Sequence, residues 1–157
     1  MSSPITLTHR LILPADSNHH GTLYAGSLLR IALEAAYATA FRTIGVDANL
    51  LLRRVLNLEC YRPVAQGSVI EIRGTPLHLT RAYLVIGIIG TQLPGQTGPW
   101  MDGLMGFCQV DAEGRLTEFP EELELKQPTA EWEPLTSRMQ RLLKIRVRNG
   151  KKVSEQW

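Results

Sequence analysis

The stretch Asn18-His19-His20-Gly21-Thr22-Leu23-Tyr24-Ala25-Gly26 combines side chains and backbone in a way that can do chemistry. It is a polar loop ending in glycine, and it runs straight into Ser27-Leu-Leu-Arg-Ile-Ala-Leu-Glu-Ala-Ala-Tyr37, which reads as a helix. The first turn of a helix leaves N–H groups without intrahelical partners and carries the positive end of the helix dipole. Such a place stabilises negative charge, including the oxyanion that develops when an acyl carbonyl is attacked. A carboxylate one or two turns further along the helix could then activate water.

Several groups near this stretch could supply the proton acceptor. The few polar helix residues, Ser27, Arg30 and Glu34, recur at spacings of three and four and share a narrow stripe. Glu34 lies four residues after Arg30, so a structural Arg30–Glu34 ion pair is the first expectation, with a catalytic Glu34 beside it. His19 or His20 could supply it, since an imidazole is the side chain suited to proton exchange near neutral pH, although loop histidines more often serve as surface or capping groups. Asp16 and Glu59 are further carboxylates in reach of the argument, and Asn18 can orient water without changing charge. Asn57, Glu59 and Tyr61 alternate with Leu56, Leu58 and Cys60, giving a strand with one polar face that could wall a cleft. Met101, Leu104, Met105 and Phe107 suit a core, or an acyl tunnel. A metal centre needs at least three suitably spaced ligands. His9, His19, His20 and His78 do not provide them, so no metal is expected.

The elements that must position these groups follow from periodicity and turn residues. Leu7, His9, Leu11 and Leu13 alternate with Thr6, Thr8, Arg10 and Ile12, a strand over 5–13 closed by Pro14. A helix is expected over 26–44, with Gly45 where a C-cap belongs. It is apolar nearly all round, which places it in the middle of a structure. Strands are expected near 52–61, 68–78, 82–92 and 100–110, separated by turn-rich links such as Pro94 to Pro99 and 111–114. Short links between consecutive strands imply an antiparallel sheet. A last helix starts near Pro134 and carries Arg138, Arg141, Lys144, Arg146 and Arg148 around an apolar stripe. One helix without a polar half, followed by a long antiparallel run, suggests a sheet wrapped around that helix. The open edges and bare face of such a sheet call for an oligomer.

Bulk properties agree with an ordinary globular chain. The 157 residues make one domain's length, with 44% hydrophobic and 20% charged residues. A net charge of +2 gives no argument for nucleic acid. Two cysteines are too few for a disulfide scaffold, which makes a reduced cytoplasm the expected location. No apolar run reaches the roughly 18 residues of a membrane span, and Met1 to Arg10 shows no signal-peptide pattern.

The loop-to-helix segment resembles the hotdog-fold acyl-CoA thioesterase superfamily, in the branch with Asn-His-x-Gly-x-Leu-(Phe/His/Tyr)-Gly-Gly followed by Leu-Leu-x-x-(Ile/Met)-Asp-Glu-Ala-Ala. The likeness runs over about 5–125 and includes Arg62-Pro-Val … Gly67-Ser-Val-Ile-Glu-Ile and Phe107-Cys-Gln-Val-Asp-Ala-Glu-Gly114. It implies an α+β hotdog fold: an antiparallel sheet around a long central helix, here over 1–130, with a basic C-terminal helix and tail over 131–157. It also implies that Asn18 and His19 contact the thioester or hold water, that Gly21 is the loop glycine, and that Gly26 lies near the oxyanion-hole amide. Arg81 falls where the family often has an arginine near the coenzyme A phosphates, and Arg54 is grouped with it as a candidate. Ala25 replaces the first glycine of the pair. Leu33 stands where the family generally has an aspartate or glutamate as base or nucleophile, and Glu34 matches the glutamate that follows it. The expected function is hydrolysis of an acyl-CoA or acyl-carrier-protein thioester by a homodimer or larger homo-oligomer, with Asn18, His19, His20, Gly26 and Glu34 as the catalytic set. Coenzyme A enters as part of the substrate, and no separate cofactor, nucleic acid or membrane is expected. Two other readings stand beside this one. They are a hotdog 3-hydroxyacyl-thioester dehydratase or hydratase using His20 and Glu34, and a noncatalytic acyl-thioester binder that has lost its base. The basic tail through Lys151 and Lys152 could clamp a nucleotide diphosphate or an anionic carrier protein.

Overall fold

Strands and helices follow the hydropathy pattern, their ends shifted by a few residues from the expected ones. The computed structural model describes residues 5–95 and 98–148, the last four as backbone; Lys151 and Lys152 lie outside the described residues. In chain order the elements are β1 (Thr6–Leu11), α1 (Ala25–Ile44), β2 (Leu50–Cys60), β3 (Val69–Leu79), β4 (Leu84–Leu93), β5 (Met101–Val110), β6 (Leu116–Thr117) and α2 (Glu133–Arg148). The long strands form one antiparallel sheet in the order β1-β3-β4-β5-β2, with β6 added beside β5. β1 and β2 are therefore its two edges.

The helix α1 packs against all five long strands, because its alanines let the backbone approach. Ile31, Ala32, Ala35, Ala36 and Ala40 are buried with Ile70, Ile72, Leu84, Ile86, Ile88, Met101, Met105 and Phe107 in one cluster. The closest approach is at Gly74, where an added Cβ would collide with the Thr39 side chain. Thr39 is itself buried and returns its hydroxyl to the Ala35 carbonyl at 2.8 Å. The hydrophobic strand interiors thus surround an alanine-faced helix, as the sequence leads one to expect for the hotdog arrangement.

The other face of the sheet carries α2. Trp132, Leu135 and Met139 bury against Leu56, Val85, Ile89 and Leu104. Gly87 leaves room there for the rings of Trp132 and the side chain of Leu77. At roughly 1.5–3 kcal/mol for each large side chain removed from water, this contact holds α2 firmly. A polar cluster fixes its register: Arg138 Nη1 donates to Asp102 Oδ1 (2.7 Å) and Asn57 Oδ1 (2.6 Å), and the Tyr61 hydroxyl donates to the same carboxylate at 2.9 Å. This corrects one expectation. Asn57 and Tyr61 face α2, and Glu59, paired in register with Asp102, belongs to that face too. The polar side of β2 is a helix seat and does not wall a cleft beside α1.

β1 departs from its composition as well. Thr8 and Arg10 pair with Ile72 and Ile70, on the side of α1, while Leu7 and Leu11 point away and are exposed. No helix among the described residues is long and apolar enough to cross a membrane.

Candidate functional site

The loop before α1 is a tight, internally bonded turn. Asn18 organises it: its Oδ1 accepts from the backbone N–H of His20 (3.0 Å) and of Thr22 (3.1 Å), and from the Thr22 hydroxyl (3.2 Å). Its main chain pairs with Thr22 at 2.8 Å, and its carbonyl accepts from Gly21 N–H at 3.1 Å. Gly21 has φ 72, the left-handed conformation that closes the turn and that glycine adopts without steric cost. The turn then docks on the segment after β2, through Leu23 N–H to the Val64 carbonyl (2.8 Å) and Gln66 N–H to the Gly21 carbonyl (2.9 Å). His19 and His20 sit exposed at its tip with ring centroids 3.8 Å apart. Asn18 thus has its carbonyl oxygen committed to the loop. It shapes the site from within.

The helix start is open. Leu28 N–H bonds the Tyr24 carbonyl at 2.9 Å at the start of α1, and the N-cap Tyr24 makes no side-chain cap. The amides of Ala25, Gly26 and Ser27 therefore lie in the unsatisfied first turn. The exposed Tyr24 ring lies over Gly26, so close that an added Cβ would stand 2.5 Å from Cε1. Glycine at 26 leaves room for the Tyr24 ring in this position.

Charge beneath the loop is arranged differently from expectation. The partner of Arg30 is Asp16, not Glu34: Arg30 Nη2 reaches Asp16 Oδ1 at 3.3 Å, and Arg10 Nη2 reaches the same oxygen at 3.2 Å. Asp16 Oδ2 accepts the Leu13 N–H at 3.1 Å, and the Asp16 carbonyl accepts the N–H of Tyr24 at 2.8 Å. The Leu13 amide foremost, and then the two guanidinium groups, hold the Asp16 carboxyl below the usual carboxylate range against the opposing effect of burial. A carboxylate so stabilised is a poor proton acceptor, which removes Asp16 as a base and makes it the anchor of the loop.

Glu34 remains a solvent-facing carboxylate. Its side chain is 59% exposed and meets Arg10 Nη1 only at 4.0 Å. Helical geometry turns about 100° per residue, so Leu33, seven residues after Gly26, lies nearly in line with it, and Glu34 is rotated about 80° away. Leu33 packs partly into the core. Directly along the helix from the open amides stands Leu33, with Arg30 and Glu34 both on one side of that line.

The candidate phosphate contacts lie elsewhere in the chain. Arg54 pairs in register with Gly106, on the α2 side of the sheet. Arg81 is exposed in the β3–β4 turn and is held by Glu121 and, at 3.7 Å, by Glu118. That turn is at the far end of β3 from the loop, about 30 Å away along a strand of this length. Gly21, Asn18, His19, His20 and Gly26 are brought together at one end of α1; Arg54 and Arg81 do not join them within one chain. Sequence reasoning missed the joint role of Asp16, Arg10 and Arg30. The i, i+4 rule pointed Arg30 to Glu34, and a strand-to-helix ion pair leaves no local spacing to read.

A family model described as the thioesterase superfamily matches residues 20–98, half of the chain. A search of curated protein sequences finds no match. Among solved structures the chain is similar to a hexameric acyl-CoA thioesterase (20% identity, 95% of this chain and 94% of that one, TM-score 0.79). It is also similar to an acyl-CoA hydrolase from Staphylococcus aureus in complex with butyryl coenzyme A and coenzyme A (16% identity, 99% and 92%, TM-score 0.79). A third is an acyl-CoA hydrolase from Bacillus cereus (16% identity, 98% and 94%, TM-score 0.76). These likenesses are in the fold. With the family match spanning the loop, α1 and the strands that hold them, the chain belongs to the thioesterase superfamily, in its hotdog fold.

Proposed function

We propose that this protein hydrolyses an acyl thioester of coenzyme A or of an acyl-carrier protein, releasing a free acid and a thiol. The observation that carries the reading is the uncapped start of α1 beneath Tyr24, where Gly26 presents an amide beside a rigid loop. Water adds to the thioester carbonyl, and the amides of the first turn receive the oxyanion. Glu34 takes the proton from water, with the loop-tip His20 as the alternative acceptor. Collapse of the tetrahedral intermediate breaks the C–S bond, and the thiolate leaves to be protonated. The coenzyme A complex of the Staphylococcus aureus hydrolase supports that thiol class.

The absence of an acid at position 33 shapes the expected rate. The Staphylococcus aureus enzyme was studied as separate asparagine and aspartate variants, and those two residues are fifteen apart in its chain. The same interval from Asn18 ends at Leu33. A general base is worth about 10²–10⁴ in rate, so turnover is slow.

We also propose that the chain works as a homo-oligomer. Leu29, Tyr37 and Phe41 make an exposed apolar ridge on α1, and Val55 is exposed on the edge strand β2. A second copy covers both. Relatives in fold include hexameric thioesterases.

Release of free thiol from a panel of acyl-CoA chain lengths tests the hydrolase. Wild type is expected to release thiol, Glu34→Gln to release it at least 10²-fold more slowly, and Leu33→Asp to gain. A silent wild type with an active Leu33→Asp selects a binding protein instead, and double-bond formation without thiol selects the dehydratase.

A further inference from the structure

Arg30 is the first charged side chain along α1 from its open start, and the hydrolysis proposed above gives it no task. It follows Gly26 by four residues, which puts it about 6 Å along the helix and about 40° around it. Helical side chains lean back toward the N-terminus. Arg30 does so: its Nη2 reaches Asp16 Oδ1, and the Asp16 carbonyl accepts the N–H of Tyr24, the residue that opens α1. The guanidinium therefore stands beside the first-turn amides.

Asp16 does not use that guanidinium up. Arg10 and Arg30 converge on the one oxygen Oδ1, each through a single nitrogen, at 3.2 and 3.3 Å, while Oδ2 takes the Leu13 N–H. Neither arginine makes the two-bond fork that guanidinium and carboxylate groups favour. The Asp16 side chain is 4% exposed and that of Arg30 55%, so the anion is enclosed and the cation opens to solvent. Glu34, one turn further on, meets Arg10 at 4.0 Å and not Arg30. Among the described residues, Arg30 makes no hydrogen bond or ion pair beyond Asp16.

We propose that Arg30 receives a carboxylate carried by the acyl group, so that the preferred substrates are thioesters of short dicarboxylic acids. The inference rests on hydrolysis at the start of α1 as proposed above. With the thioester carbonyl on the first-turn amides, a group one helical turn away meets the acyl chain within its first few carbons. The phosphates of coenzyme A are removed from that carbonyl by the whole pantetheine arm, so Arg30 reads charge on the acid and not on the thiol. Leu29, which is exposed, and Leu33 lie on the other side of the Gly26 line and give the methylenes an apolar strip. A neutral chain laid over Arg30 takes water from the guanidinium and returns no partner. A carboxylate returns charge-assisted bonds in the geometry that Asp16 leaves unused.

Substrates paired by length test this on the full chain: succinyl- against butyryl-coenzyme A and glutaryl- against pentanoyl-coenzyme A, by thiol release corrected for the uncatalysed rate. A charge-assisted pair is worth about tenfold or more, so wild-type kcat/KM is expected to favour the diacid by about that factor in at least one pair. Arg30→Met, in which Arg10 still holds Asp16, is expected to remove the preference. Equal kcat/KM within both pairs, or a wild-type ratio in Arg30→Met, overturns the proposal while the hydrolase reading stands. Should Arg30→Met fail to fold, Arg30→Lys decides: it keeps the charge and gives up the fork, and a wild-type ratio in it counts against the site. Titration calorimetry with the unreactive carboxypropyl and butyl thioethers of coenzyme A separates binding from turnover. A chain that releases no thiol from any of these substrates, yet binds the carboxypropyl thioether about tenfold more tightly and loses the difference in Arg30→Met, keeps the site and loses the hydrolase. Equal affinities in such a silent chain overturn both.

Discussion

Asp16 gathers a strand arginine, a helix arginine and two backbone amides around one residue, and the open end of α1 depends on it. Its folded-state carboxyl is held below the usual range, so its ionised form contributes stability that is present above the unfolded value of about 3.9. That contribution is lost as pH falls through the lower folded value. The melting temperature of the wild type should therefore drop as the solution is acidified below about pH 4, and Asp16→Asn should be less stable at neutral pH with a flatter acid limb. Parallel acid limbs in the two proteins would show that the arginines do not draw on this charge. Residue identity in the loop was legible from sequence because turns and helix starts have local grammar: Gly21 needs its positive φ, and Gly26 leaves room for the Tyr24 ring. The ion partners were not legible. Arg10 and Arg30 converge on Asp16 from different elements, and Asn18, read as holding the attacking water, spends its oxygen on the loop's own amides.

At the scale of elements, the same limit separates what periodicity reveals from what packing decides. The five long strands and both helices could be placed from hydrophobic spacing, glycines and prolines. Which face of a strand meets which helix could not, since the sheet has a helix on both sides. The alternation of Asn57, Glu59 and Tyr61 was visible, but its meaning came from Arg138, some eighty residues later. Likewise the leucines of β1 alternate as a core-facing strand would, and the register with Ile70 and Ile72 turns them outward. The Arg138–Asp102 pair gives the element-scale prediction. Asp102 is buried and its side chain is only 12% exposed, with Arg138 supplying the cation at 2.7 Å. Removing one partner of such a pair strands the other, at a cost of about 3 kcal/mol. Denaturant unfolding of Arg138→Met should show a loss of that order. The double variant Arg138→Met/Asp102→Leu should recover most of it, since two apolar groups then meet. Additive losses in the cycle would mean that the aspartate is already well solvated when α2 docks.

The whole molecule has an asymmetry that its stability must reflect. The sheet is packed on both faces yet open at both edges, and the exposed large apolar residues gather on the α1 ridge, on β2 and along β1. Proteins keep such edges covered, so part of the free energy that holds this fold is expected to come from the contact between chains. Mass action then ties thermal stability to protein concentration. For a dimer of 157-residue chains, a tenfold dilution is expected to lower the melting temperature by about 2 °C, from the unfolding entropy of two chains. Phe41→Glu places a charge in the middle of the α1 ridge, so it should melt lower and independently of concentration. The comparison can be made by differential scanning calorimetry over a hundredfold concentration range. A wild-type melting temperature that stays constant over that range would mean that the single chain carries its own stability, with the ridge left exposed for the acyl chain of a substrate.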